Sequence, residues 1–547
     1  MSEEFIDDGT LEIKKKKKRR GKPQNRNQQK AKAVQLNIQT TTSAKYPFLS
    51  NLNLDLGVEG KVSRLLDSIV SGSTQVYSTP LLKDDNLDEI LVLVDNIFKD
   101  KHELINETLK DIELTQRNKI GPRSIALPWK DRRESTLSYF GEGPDISLDS
   151  SVKYFNHMGS LQPISKETAI EKLKNSTNSG LPYFTKKSLI KDKLIEEWDY
   201  LSSRNDPCVL FTRTQESKKT RGVWGYPVIN SAIEMRFYSP LLEYQKKLSW
   251  RSAINSPDLV AKRITNLMIT SKLQNYTMVS VDFSAYDASV KYNLQKYSFD
   301  YIKKLYGSMY HSEIDEIFHK FNSIGIITPE GIYEGKHGVP SGSTFTNEID
   351  SIAQYLVAMN SGLLDNLSMQ IQGDDGVYSI KDDKIDDFIS FFNKCGLKLN
   401  ADKSVISKDH CVYLQNLYHK DYINEEGIIN GIYPIYRALN KILYQERFTD
   451  FKSAGMTGAD YFTIRTISIL ENCKNHPLFE EFVKIIIKLD DKNSLIVNQD
   501  VINKYSKLMN DNTSVGAIVN QYGDKLNGFS KFKTVEIINK LRFSKVT

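Results

Sequence analysis

MQIQGDDGVYSI, residues 369–380, sets two short strand-like runs around GDDG, a glycine-bounded turn that suits a tight hairpin. Asp374 and Asp375 therefore fall at a hairpin tip. Adjacent acids repel there, and solvent screening or a bound cation must offset the repulsion. Carboxylate oxygens with open positions suit Mg2+ or Mn2+, which keep water and substrate phosphates as further ligands. The second decisive stretch is YTMVSVDF, 276–283, a β-branched apolar run with the character of a buried strand. It ends at Asp282, and Asp287 follows after the turn. If the two strands are neighbours, Asp282 and Asp374 share two cations about 4 Å apart, the arrangement of in-line phosphoryl or nucleotidyl transfer.

GDD alone is a common turn, and D-x4-D is as weak; their setting carries the weight. Between them lies HGVPSGSTFTNEIDS, 337–351. Its Pro/Gly/Ser loop lets the backbone approach a ligand closely. Phe345, Ile349, Ile352, Ala353 and Leu356 then recur at helical spacing, which places Thr346 and Asp350 on one face. Such a loop suits a sugar hydroxyl or a template backbone, or an ordinary helix cap by Ser341 or Ser343. Arg213, Lys218, Lys219 and Arg221 place four charges within nine residues, suited to a triphosphate or to plain solvation. Residues 385–395 form a helical stripe stopped by Gly396, and the NADKS loop beyond offers Lys403 as a proton donor, with Lys398 as a rival. Cys395, His410, Cys411 and His419 are too irregularly spaced to argue well for zinc.

The 547 residues suggest three or four domains at roughly 150 residues each. Mixed helix and strand signals without a βαβ rhythm indicate an α+β fold, mostly helical over the last hundred residues. In LFEEFVKIIIKL, 478–489, a helical stripe is expected to pack into a core. No apolar run approaches the ~20 residues of a membrane span, and the acidic start MSEEFIDDG argues against a signal peptide. Four cysteines without paired spacing suggest a reducing compartment. Residues 1–32 hold eleven Lys/Arg against five Asp/Glu, so the net +6 of the chain resides there and the body has 63 of each sign. A basic flexible arm over 1–45, built around KKKKKRR at 14–20, suits contact with phosphate backbones or mere solubility.

The order DFSAYD (282–287), SGSTFTNEIDS (341–351) and GDD (373–375) resembles motifs A, B and C of viral RNA-dependent RNA polymerases, most closely those of picobirnaviruses and next partitiviruses. NSTNSGLPYF (175–184) resembles motif G and RTQESKKTRGVWGYP (213–227) motif F; CGLKLNADKS (395–404) and CVYLQNLYHK (411–420) are similar to motifs D and E. The resemblance implies a closed right hand: a 46–230 extension with fingers, a 231–430 palm with a fingers insertion at about 301–336, and a 431–547 thumb. It implies template-directed ribonucleotide transfer with two ions of Mg2+ or Mn2+. Asp282 and Asp374 would bind them, with Asp375 and the Phe283 carbonyl in support and Lys403 as general acid. Asp287, Ser341, Gly342, Thr346 and Asp350 would meet the incoming ribose, and Arg213, Lys218, Lys219 and Arg221 its phosphates. Ser179, Gly180 and Pro182 would guide template. Asp350 stands where many positive-strand polymerases have Asn, and it donates a hydrogen bond only when protonated. The implied partners are RNA and NTPs, with a capsid protein as a further candidate; a monomer in a virion interior or host cytoplasm is expected, with no membrane. A reverse transcriptase and a non-catalytic RNA-binding protein are the alternatives, separated by NTP against dNTP use and by deletion of the arm.

Overall fold

The computed structural model describes residues 45–82, 86–150, 158–400, 402–452, 455–490, 495, 497–510 and 528–543. The basic arm expected over 1–45 lies outside these apart from Lys45. Antiparallel strands β1 (Cys208–Thr214) and β2 (Thr220–Gly225) open the first sheet, pairing Arg213 with Arg221. Two helices follow: α1 (Val228–Gln245) and α2 (Pro257–Leu273). Ser256 accepts from the Leu259 N–H, and Pro257 takes the first helical position, where its missing N–H costs nothing.

The central sheet starts at β3 (Tyr276–Val281), followed by α3 (Tyr292–Leu305). Strands β4 (Ile326–Thr328) and β5 (Gly331–Tyr333) leave it and extend the first sheet to the order β2-β1-β4-β5. The chain returns through α4 (Thr346–Asn360), the hairpin β6 (Met369–Gln372) and β7 (Asp375–Lys381), helix α5 (Ile385–Lys394) and β8 (Val405–Ser407). The central order is β6-β7-β3-β8, antiparallel throughout. Both faces are buried, which is why its strands read as apolar runs. Val279, Val281, Tyr378 and Ile380 pack with Ile349, Ile352 and Phe392 on one side. Met278 and Val377 meet Val260, Ile264 and Met268 of α2 on the other. The period of two along β3 and β7 sends alternate side chains to different cores.

Beyond β8, strands β9 (His410–Tyr413) and β10 (Asn416–His419) form a hairpin whose two turn residues, Leu414 and Gln415, both take positive φ. Helix α6 (Ile435–Leu443) leads into a helical body including Gly458–Glu471 and Phe479–Leu489. In the latter Phe479, Phe482, Val483 and Ile486 are buried, the expected stripe. The segment before β1 serves two cores. Helix Leu56–Ser71 packs on the first sheet, while Leu82, Ile90 and Val94 join the C-terminal helices. Between them, Thr79 N donates to the Leu443 carbonyl and Gln445 N to that of Tyr77. The result is α+β, as the irregular mix of signals indicates.

Candidate active site

Register brings the acids together. Val281 pairs with Gly376 and Gln372 with Asp375, so the next position beyond β3, Asp282, falls opposite Asp375. Gly373 and Asp374 form the two-residue turn, and Gly373 supplies the positive φ (63°) that such hairpins need at their first position. Asp374 is reached by solvent from one side yet sits deep among protein atoms. Burial raises it above its ordinary value, with Asp282 adding to the rise and Arg221 and Lys219 opposing. Asp375 is pushed up to about 7, by burial first and then by the Asp374 and Asp282 charges. Screening by water is therefore weaker at this turn than its exposed position in the sequence implies. Carboxylates so short of water and so near like charge hold either a proton or a cation. Among the described residues no three ligating side chains close on one point. Two acids per cation, completed by water and triphosphate oxygens, is the manner in which Mg2+ is held, so the oxygen-only set fits.

Asp282 is tied to the segment after α5. Its N–H donates to Ser404 Oγ at 3.2 Å, and its carbonyl accepts from Asn400 N at 2.7 Å. The bridge between Phe283 and Leu399 uses the Asp282 carbonyl and the Ser284 N–H, so the Phe283 carbonyl is not spent on it. Lys403 Nζ stands 3.8 Å from Asp282 Oδ2. Lys219 and Arg221, both exposed on the β1–β2 hairpin, act electrostatically on Asp374.

A second pair of acids lies behind. Asp287 is pushed up to about 6, by burial first and Asp374 next, with Arg221 opposing. Asp350 is buried on α4, and its Oδ1 has no hydrogen-bond partner among the described residues. Burial, then Asp287 and Asp374, raise it well above the carboxylate range. The Val339 N–H donates to the Asp287 carbonyl at 2.7 Å, and a Cβ at Gly338 would come within 2.4 Å of that same oxygen, so only glycine lets the loop lie this close.

Other expected site residues spend their polar groups locally. Ser341 Oγ accepts from Trp224 N at 3.1 Å, and a Cβ on Gly342 would lie 1.8 Å from the Trp224 carbonyl. Both fasten the loop to β2. Thr346 Oγ1 donates to the carbonyls of Pro340 and Ser343. Arg213 is exposed, 3.7 Å from Glu446. Lys218 is exposed in the hairpin loop with φ of 57°. Ser179 is buried and accepts from the Thr185 N–H; Gly180 packs under the Tyr226 carbonyl, and Pro182 is half-buried beside them.

Several residues at this site carry no motif signal. Gln354 of α4 donates to the Gly373 carbonyl at 2.8 Å. Glu234 of α1 accepts from Ser343 Oγ at 2.8 Å and Thr344 N at 2.7 Å, pinning the loop before α4. Arg437 of α6 offsets part of the rise at Asp375. Tyr139 feels Asp287, Asp350 and Arg221, and burial chiefly holds its phenol above the ordinary range. A glutamine or glutamate on an amphipathic helix ordinarily reads as surface, so only a buried spacing could have marked Gln354 and Glu234.

Residues 150–430 match the family described as Viral RNA-dependent RNA polymerase. Over 455 residues the chain is 30% identical to the "Potential RNA-dependent RNA polymerase" of Human picobirnavirus (strain Human/Thailand/Hy005102/-), covering 77% of this chain and 84% of that protein. It is 26% identical over 282 residues to the "RNA-directed RNA polymerase" of Cryptosporidium parvum virus 1 (strain KSU-1), covering 46% of this chain and 53% of that one. The crystal structure of the RNA-dependent RNA polymerase of a human picobirnavirus superposes with a TM-score of 0.76 at 26% identity, over 87% of this chain and 96% of the other.

Proposed function

Since this chain belongs to the viral RNA-dependent RNA polymerases and shares their right-hand fold, we propose that Asp282, Asp374 and Asp375 form its catalytic centre. The enzyme is an RNA-directed RNA polymerase, a nucleotidyltransferase acting on RNA and ribonucleoside triphosphates. The observation that carries the residue assignment is the strand register that sets Asp282 opposite Asp375 beside the Asp374 turn. Asp282 and Asp374 would hold two ions of Mg2+ or Mn2+, with Asp375 and the Phe283 carbonyl in support. Bound there, such ions supply positive charge to the attacking and leaving oxygens of an in-line transfer.

The chain's own groups do the rest. Arg221 and Lys219 neutralise the triphosphate, with Arg213 and Lys218 as more distant charges. Lys403, 3.8 Å from Asp282, would give its proton to the leaving pyrophosphate. Asp287 and Asp350 face the ribose. A protonated Asp350 donates as Asn would, which removes the difficulty posed by an acid at this position. Ser341, Gly342 and Thr346 shape the loop under the ribose; the buried Ser179 and Gly180 hold the turn that would present the half-buried Pro182 to the template.

In this reading the fingers occupy 46–230 with the 301–336 insertion, the palm 231–430 and the thumb 431–547. No described helix is long and apolar enough to cross a membrane. A monomer working in a virion interior or host cytoplasm, beside a capsid protein and on a double-stranded genome, is the accompanying proposal. Removing residues 1–32 is expected to lower RNA affinity and flatten its salt dependence while RNA synthesis continues. The decisive experiment is NTP and dNTP incorporation on a defined single-stranded RNA with Mg2+ or Mn2+, for the native chain, Asp282→Ala and Asp374→Ala. Cation charge is worth several kcal/mol in the transition state, so each variant should lose about 10³-fold or more in rate while still binding RNA. Retained synthesis in both sinks the assignment.

A further inference from the structure

Arg251 lies just before α2 and is fully buried, as is its partner Glu348, 2.7 Å away. An interior ion pair returns less than its lost hydration unless every remaining donor is used. Here Nε donates to Gln245 Oε1 at 2.9 Å, and Nη1 to Ser351 Oγ at 2.6 Å and Gln372 Oε1 at 2.7 Å. These acceptors belong to α1, α4 and the last residue of β6. Ser351 then accepts a second bond, from the Gly373 N–H at 2.8 Å, and donates its own proton to the Asn347 carbonyl at 2.7 Å. The turn bearing Asp374 is thus held at two successive residues: Gln372 directly and Gly373 through Ser351.

The backbone around Arg251 is equally committed. The Trp250 carbonyl accepts from Ile371 N at 3.0 Å, and Ser252 Oγ donates to Gln370 Oε1 at 2.5 Å. The Trp250 ring stacks on Tyr355 of α4 at 4.2 Å. Residues 250–252 therefore run beside β6 and clamp it to α4. With its donors spent on Glu348, Gln245, Ser351 and Gln372, the guanidinium acts on the turn through geometry.

We propose that Arg251 is a positioning residue for nucleotidyl transfer, which through Ser351 and Gln372 fixes the Gly373–Asp375 turn so that the Asp374 carboxylate meets its cation in one geometry. This rests on the reading of Asp282 and Asp374 as cation ligands. The test compares full-length native protein with Ser351→Ala, Arg251→Lys, Asp374→Ala and Val483→Ala, the last a cavity variant in the C-terminal core. Three quantities are read: Mn2+ affinity by electron paramagnetic resonance without RNA or NTP, melting temperature, and kcat and KM for NTP.

Ser351→Ala should weaken Mn2+ binding and lower kcat by about tenfold or more, with KM for NTP held within about twofold. Arg251→Lys keeps the charge opposite Glu348 but cannot fork onto two acceptors, so it should follow Ser351→Ala. Val483→Ala should lose melting temperature and keep both cation affinity and kcat. Native Mn2+ affinity and kcat in Ser351→Ala would overturn the proposal. So would an equal loss in Val483→Ala. If Asp374→Ala alone lost Mn2+, the positioning role would fall while the ligand reading stood. Native Mn2+ affinity in Asp374→Ala would remove the ligand reading and the proposal with it.

Discussion

In the proposed site, the buried carboxyl of Asp350 takes the place of an amide beside the ribose. Its Oδ1 has no hydrogen-bond partner among the described residues, and burial together with Asp287 and Asp374 favours its protonated form. A protonated carboxyl offers one donor and one acceptor, much as an amide does, and a 2′-hydroxyl can satisfy either. A site built to hydrogen-bond a hydroxyl rejects the analogue lacking it, because its own polar group is then left unpaired. Asp350→Asn is therefore expected to keep the NTP-over-dNTP preference within about threefold, and Asp350→Ala to lose about tenfold or more of it. The kcat/KM ratio for matched NTP and dNTP on one template measures both. Equal loss in the two variants would mean that Asp350 serves packing rather than ribose choice.

At the scale of elements, the loop from Pro340 to Phe345 is fixed by Glu234 across 109 positions of sequence. Burial raises the Glu234 carboxyl from 4.5 to about 7, outweighing the bonds from Ser343 and Thr344 that lower it. With the folded value above the unfolded one, stability is full below about pH 4.5 and is lost as pH rises through 7. At 1.36 kcal/mol per unit, the loss approaches about 3 kcal/mol. Glu234→Gln escapes it and still accepts both bonds. The variant should melt with the native protein at about pH 4 and progressively above it toward pH 8, read from paired melting curves. The same contrast explains what could be read in advance. The β6–β7 hairpin, the α4 stripe and the Gly396 stop announce themselves by local spacing, so Asp282, Asp374 and Asp375 are legible at strand ends. Glu234, Arg251 and Gln354 are not, since each looks like helix or loop surface until its distant partner is known. The bond from Trp224 N to Ser341, a residue expected at the ribose, has no local signal either, since it spans 117 positions.

On the scale of the whole molecule, one guanidinium joins the first sheet to the C-terminal body. Arg123 is buried and donates to Glu216, in the loop between β1 and β2, and to Glu446 beyond α6, both at 2.5 Å. Lys219 lies in that loop and Arg221 follows in β2, so the place of the charges proposed to meet the triphosphate depends on the clasp. Removing Arg123 takes the shortest cationic contact from both carboxylates and leaves Glu446 with the more distant, exposed Arg213 at 3.7 Å. Each carboxylate is about one-third exposed, so water returns part of the loss and the cost falls to about 2 kcal/mol rather than the 3–5 of a fully buried pair. Arg123→Met is expected to melt several degrees lower and to raise KM for NTP more than it lowers kcat. Adding Glu216→Gln and Glu446→Gln removes the stranded charges and should recover the melting temperature, since an apolar or neutral replacement of a whole ion cluster is often tolerated. It should not recover KM, because the clasp that locates Lys219 and Arg221 is still gone. Recovery of both together would mean that Arg123 acts on stability alone and that the hairpin finds its place without it.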